Sequence, residues 1–217
     1  PSAYHGVGGP LNVADLRQKS EISQVFVRAA GEAGYPLSDD FNGVEQEGVG
    51  FYQVTQKDGQ RCSSARAYLL PVRERPNLTV IPNALACRIL FEGRRAVGVI
   101  YRNHEGRLVE LRARREVLLS GGAINSPQLL LLSGVGPRAE LERHGIPQVH
   151  ELPGVGQNLQ DHLDIVVAHR ECRRASYGFA LSFLPRLVKG IAEYHRHQRG
   201  VLTSNLAEAG GFVKSDS

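Results

Sequence analysis

Asp161-His162, Glu208 and the pair His195 and His197 are the residues whose types could move a proton or hold an ion. An adjacent acid and base suggests a catalytic pair, but neighbours on an extended chain point to opposite faces. Asp161 and His162 are therefore expected to serve turns, caps or a nearby cofactor. His195 and His197 fall in a helical pattern, where residues two apart share no face, so they read as a solvated helix end. Asp39-Asp40 runs into Asn42-Gly43 with no third carboxylate at calcium-loop spacing, which marks a turn. No Gly-x-Ser-x-Gly elbow surrounds any serine, so a hydrolytic nucleophile is not expected.

Glycine patterns invite a dinucleotide reading that their context refuses. Gly134-x-Gly136-x-x-Ala139 has the right spacing, but it follows a helix and carries Pro137 in the turn. Gly154-x-Gly156 meets Leu159 at the third position, and Gly6-x-Gly8 meets Leu11, so neither forms a strand-turn-helix phosphate cradle. Gly121-Gly122 is a different case. It follows the apolar run Val117-Leu118-Leu119, read as a strand buried on both faces, and it permits a tight turn or close approach of backbone to a ligand. Asn125 and Ser126 then stand where a helix N-cap is expected, with Pro127 suited to the first helical position. Gly134, Gly136 and Pro137 end that helix.

The elements around these residues follow from periodicity. Apolar residues at helical spacing over 20–33 predict a surface helix with one buried face, stopped by Gly34 and Pro36. From Leu78 to Ser120, β-prone runs alternate with turns such as Glu92-Gly93 and Glu105-Gly106, which predicts a β-meander feeding the strand before Gly121. Pro137 to Gly145 predicts a short helix. Beyond His162, strands are expected over 163–169 and 208–213, with an amphipathic helix over 179–197.

The run from Gly121 to Gly136, GGAINSPQLLLLSGVG, matches a known signature: a small residue, Ser126-Pro127, an aliphatic pair, then Ser133-Gly134-Val135-Gly136. On it the chain resembles the glucose-methanol-choline (GMC) oxidoreductase family. YHGVGGPLNV near the start, RCSSARAYLLP at 61–71, HELPGVGQNLQDH at 150–162 and SNLAEAGGFVKS at 204–215 are similar in the same order, nearest in kind to bacterial choline and FAD-dependent alcohol dehydrogenases. The resemblance implies FAD as cofactor, with the adenosine side touched by Ala86, Ser120, Gly121 and Gly122. It also implies a substrate-pocket role for Glu208, whose carboxylate could face a cationic alcohol; a structural partner for that carboxylate is the competing reading. The family's GxGxxG cradle is expected upstream of Pro1 and its catalytic histidine downstream of Ser217. The chain is thus expected to be an inactive internal fragment with no catalytic residue of its own.

The fold class implied is α+β or α/β. Residues 71–160 would supply part of a glutathione-reductase-like FAD-binding domain with an antiparallel meander. Residues 1–70 would be a substrate-domain or FAD-covering segment, and 161–217 part of a substrate-binding domain with an antiparallel sheet. The function implied is hydride transfer from a primary alcohol to flavin. A GMC-type oxidase, a hydroxynitrile lyase and a noncatalytic binding module are the alternatives.

Composition narrows the partners. The chain has 217 residues, 41% hydrophobic and 22% charged, ordinary values for a globular protein. Its formal charge is +4, but the arginines are scattered without interleaved aromatics, so no nucleic-acid partner is expected. Cys62, Cys87 and Cys172 form no CxxC or Cys/His spacing, which argues against a metal site and for reduced thiols in the cytoplasm. The charge-free run 117–136 is too rich in Gly, Ser, Asn and Gln for a membrane span, which leaves peripheral association with the inner membrane as the only membrane contact considered. A small-molecule alcohol is the expected partner. The electron acceptor is not specified by the sequence.

Overall fold

A computed structural model describes residues 3–169 and 184–215. In chain order the elements are α1 (Glu21–Glu32), β1 (Gly48–Phe51), the two-residue strands β2 (Gln56–Lys57) and β3 (Gln60–Arg61), then β4 (Leu85–Glu92), β5 (Arg95–Arg102) and β6 (Leu108–Arg112). They continue through α2 (Gly122–Leu132), β7 (Val135–Gly136), α3 (Arg138–Arg143), β8 (His150–Glu151), α4 (Leu184–His197) and β9 (Ala209–Phe212). The chain forms two compact units, Pro1–Thr79 with Val167–Ser217, and Val80–Val166.

In the first unit, β1 pairs antiparallel with β9, Gly48 opposite Phe212 and Phe51 opposite Ala209. Phe41 packs against both Tyr52 and Phe212 with ring centroids 5.4 Å apart, within the range where aromatic pairs attract beyond their buried area. Leu16, Phe41, Val49, Cys62 and Ala67 form the apolar core. Ser20 caps α1 by accepting the N–H of Ser23, so the helix begins where a short polar side chain can satisfy an orphan donor.

The second unit is the meander expected from the alternating runs. Strands β4, β5 and β6 form a three-stranded antiparallel sheet in that order, with a register shift between Ala86 and Arg88. Helix α2 packs on β4, the edge strand. Val135 and Gly136 then pair in parallel with His150 and Glu151. Between those strands lies α3, with Pro137 as its N-cap residue and Leu141 buried beneath it. Ile89, Val135, Leu141 and Val155 are the buried apolar residues here.

Five expectations need correction. Val117-Leu118-Leu119 forms no strand with any described residue, and Leu118 is 80% exposed. Burial on both faces requires neighbours that the described chain does not supply; the outer run 78–82 is unpaired for the same reason. Residues 163–169 are likewise unpaired, and they are exposed. The apolar stripe of α1 is not buried, because Ile22, Val25 and Phe26 meet no covering element. Finally, α2 starts at Gly122 with Gly121 as N-cap residue, so Pro127 lies inside the helix and removes one intrahelical donor. Of the helix expected over 179–197, residues 179–183 lie outside the described residues, as does Cys172.

Gly134 explains much of the signature. Its φ is +85°, a conformation side chains resist, and a Cβ there would collide with the carbonyl oxygen of Pro147. Gly145 has φ +63° but open space around it. Gly145→Ala should therefore cost about 1–2 kcal/mol from backbone conformation alone, and Gly134→Ala distinctly more. Thermal unfolding of the two variants checks the order; equal losses would contradict the packing account.

Candidate functional site

The corner at 120–122 joins the run 116–120, which pairs with no described strand, to α2. Gly122 adopts φ +84°, and a Cβ placed on it would meet nothing within 4 Å, so the constraint is conformational and the space outside is open. A Cβ on Gly121 would come within 3.2 Å of Asn125 Cβ and 3.3 Å of Ser126 N, so the chain is tight on its inner side. The Gly121 N–H donates to Ser126 Oγ at 2.9 Å. Ser126 thus holds the helix start from five residues ahead instead of capping it. The remaining N–H groups of the first turn have no intrahelical partner by construction. Ser120, Gly121 and Gly122 are all exposed, and among the described residues no side chain plugs the corner.

Ala86 lies on β4, opposite Tyr101, at the point where the register shifts before Arg88. An irregular register disrupts the ladder and leaves main-chain groups available. Ala86 and the 120–122 corner thus sit on elements of one unit whose members touch, since α2 packs on β4.

What fastens those elements was missed in the sequence. Ser133 is buried at the end of α2, where its hydroxyl donates to Leu129 O at 2.5 Å and accepts the Ile89 N–H at 2.8 Å. In the sequence this serine stands only as a signature position next to the glycines that end the helix. Its link to Ile89 spans 44 positions and leaves no local signal. Beside α2 an apolar groove of about 770 Å³ runs between Ala123, Ile124, Pro127 and Leu131 on one side and Val155 and Leu159 on the other.

Glu208 is in the first unit. It is 1% exposed, and its carboxylate accepts the Ser20 N–H at 2.6 Å and the Ser204 hydroxyl at 2.6 Å. Burial pushes its pKa up. Hydrogen bonds from Ser204, from the Ser20 backbone and from the Ser20 and Ser23 hydroxyls outweigh that effect and hold the group below the ordinary carboxylate value. The residue is therefore an ionised acid at the head of α1, where the helix dipole also favours negative charge. Through Ser204 it adjoins a polar groove of about 840 Å³ lined by Gln56, Gln60, Arg61, Arg66 and Tyr194.

Asp161 and His162 do not meet as an acid-base pair: Asp161 Oδ1 accepts the His162 backbone N–H at 2.9 Å, and both residues are exposed. Asn158, at φ +55°, accepts from Gln160 in the same turn. Asp40 accepts the Asn42 N–H at 3.0 Å, as a turn residue does. His195 and His197 are exposed near the end of α4. Among the described residues no group of His, Cys, Asp and Glu is arranged to hold a metal, and no helix is long and apolar enough to cross a membrane.

The chain is 54% identical over 215 residues to an alcohol dehydrogenase [acceptor] of Pseudomonas putida, covering 99% of this chain and 39% of that protein. It is 46% identical over 219 residues to an oxygen-dependent choline dehydrogenase of P. putida F1, with 38% of the latter covered. Among solved structures it superposes on a variant of the formate oxidase of Aspergillus oryzae RIB40, studied for FAD modification, with a TM-score of 0.80 at 29% identity, over 97% of this chain and 37% of the other. The chain thus spans under two fifths of the length of these relatives. The GMC oxidoreductase family model matches residues 2–164, which include the β4–β6 meander, the 120–122 corner and the whole Gly121–Gly136 signature, and the chain belongs to that family.

Proposed function

We propose that the whole enzyme containing this chain is an FAD-dependent alcohol dehydrogenase that oxidises the CH–OH group of a small alcohol, and that this chain supplies part of its flavin site and part of its substrate side. The single observation that carries this reading is the open glycine corner at 120–122, in a GMC chain that shares half its residues with an alcohol dehydrogenase. An FAD nucleotide fits such a corner. Gly122 lets the backbone come close, and no Cβ intrudes. Ser120, Gly121 and Gly122 would hold the adenosine side through main-chain groups, with Ala86 adding main-chain contacts from the irregular stretch of β4. When bound, FAD would supply the acceptor for the hydride leaving the carbinol carbon.

The residues of this chain bind and orient. Ser126 keeps the Gly121 N–H occupied, so the turn holds its shape. The apolar groove beside α2 can shield the neighbourhood from water. Glu208 stands on the substrate side as a fixed, ionised group that holds Ser204 at the edge of the polar groove. The proton of the alcohol goes to a histidine expected outside this chain, so the chain alone should show no turnover. Free Cys62 and Cys87 suit a reducing, cytoplasmic compartment.

The whole enzyme should be yellow, and an alcohol added without oxygen should bleach its flavin absorbance in stopped flow. Failure to bleach with any alcohol would refute the reading, and rapid reoxidation by oxygen would make the enzyme an oxidase. Gly122→Val should lower bound FAD by about tenfold or more, since a β-branched side chain resists positive φ, while Gly145→Ala should keep its flavin.

The Glu208 carboxylate has a lowered pKa, so its stabilisation is complete above the unfolded-state value near 4.5 and is lost as pH falls through the folded value. Glu208→Gln should flatten that acid limb of the stability profile. Glu208→Ala should cost about 1–3 kcal/mol at neutral pH by leaving the Ser20 N–H unpaired. Unfolding curves of the three proteins between pH 3 and 8 (roughly the range over which carboxylates titrate) check both, and an unchanged acid limb in Glu208→Gln would contradict the assignment.

A further inference from the structure

Among the described residues that line the polar groove of about 840 Å³ beside Ser204, two are arginines and none is an acid. Arg61 comes from β3 and Arg66 from a π-helical turn, Ala65–Leu69, a conformation that is rare and concentrated at functional sites. Each arginine directly precedes a buried residue, Cys62 and Ala67, so the backbone is fixed while the guanidinium stays exposed. Arg66 donates to Gln60 Oε1. The Arg61 guanidinium donates to no described residue, and neither arginine forms an ion pair with one. Two guanidiniums with donors to spare therefore share one concave surface.

The walls of the groove are set before any ligand arrives. Gln56 stands opposite Arg61 across the β2–β3 hairpin, and its Nε2 donates to Thr203 O at 2.9 Å. Gly59 in the hairpin turn is buried at φ +70°, and a Cβ there would collide with the carbonyl oxygen of Gln198, so the turn is seated on the chain that follows α4. A surface held in this way loses little freedom on binding. The neighbouring acids do not cancel its charge. Asp58 lies 3.5 Å from Arg17 Nη2, and Glu208, behind Ser204, is 1% exposed with its carboxylate already taken by Ser20 and Ser204. A guanidinium fork matches the paired oxygens of a carboxylate or a phosphate, and Gln53, Thr55 and Asn205 add amide and hydroxyl groups to the walls. The volume is that of a metabolite site. A polymeric anion would need a longer row of cations.

We propose that this groove binds a small hydroxylated organic anion, with its carboxylate or phosphate held by Arg61 and Arg66 and its hydroxyls by the amide-bearing walls. The proposal rests on the first unit alone and does not depend on the flavin reading. Its test is titration calorimetry of the whole enzyme with glycerate, glycerol 3-phosphate and glycerol, which share a hydroxylated body and differ in charge. No electron acceptor is present, so binding and not turnover is read. At least one anion should bind saturably and more weakly as salt rises, while glycerol does not bind. The tighter of the two anions identifies the headgroup as carboxylate or phosphate ester. Arg61→Gln with Arg66→Gln should lower that affinity by about tenfold or more, with melting temperature and flavin content unchanged. Amide exchange on the wild-type enzyme gives a second reading that needs no variant: the bound anion should protect 53–61 and 202–205. Absence of binding by both anions, binding of glycerol as tight as theirs, an unchanged affinity in the double variant, or protection confined to other segments would overturn the proposal.

Discussion

The buried hydroxyl of Ser133 takes the N–H of Ile89 and gives its own proton to Leu129 O, and so fastens the end of α2 to the edge of β4. Without it, a buried backbone donor on the edge strand would have no partner, a cost protein interiors rarely tolerate. An α-helix is a stiff rod, so fixing one end of α2 fixes the other, about 16 Å away. That other end is the Gly121-Gly122 corner, and the strand to which the rod is tied carries Ala86. The Ser-Gly-Val-Gly end of the signature is therefore a fastening. It lets the chain fold back at Gly134 into the β7–β8 pair and holds the glycine corner at a set place relative to the meander.

The first unit is organised by a different interaction, the burial of one carboxylate. Glu208 loses water on entering the fold and regains its solvation from Ser20 and Ser204. Because the hydrogen bonds outweigh the burial, the group stays charged and binds the head of α1 to the start of β9 across 188 positions. The β1–β9 pair and the Phe41 cluster then close around that tie. Both units share a logic in which a small polar contact, long-range in sequence, sets where a longer element lies.

Local pattern made some of this legible before any coordinates. The β4–β6 meander followed from β-prone runs punctuated by Glu92-Gly93 and Glu105-Gly106, since turn chemistry and strand propensity are both local. The helix at 138–143 followed from Pro137 and Gly145, and β9 from the run at 208–213. Residues 117–119, an apolar run, and 163–169, an alternating one, were misread as strands because such patterns say that burial is wanted, not that a partner strand is present. The start of α2 was misread because Ser126-Pro127 has the composition of a helix entrance, whereas the flexible glycines before it let the helix begin earlier. Ser133 and Glu208 gave no local sign of their long-range partners, the N–H groups of Ile89 and Ser20, which lie 44 and 188 positions away.

A crystal structure of the whole enzyme with its flavin tests the central claim most directly. The account predicts adenosine atoms within about 3.5 Å, hydrogen-bond reach, of main-chain groups at Ala86 and at Ser120 to Gly122, with Gly122 still at positive φ. A corner filled by side chains from elsewhere in the enzyme, with the nucleotide bound away from it, would contradict the account.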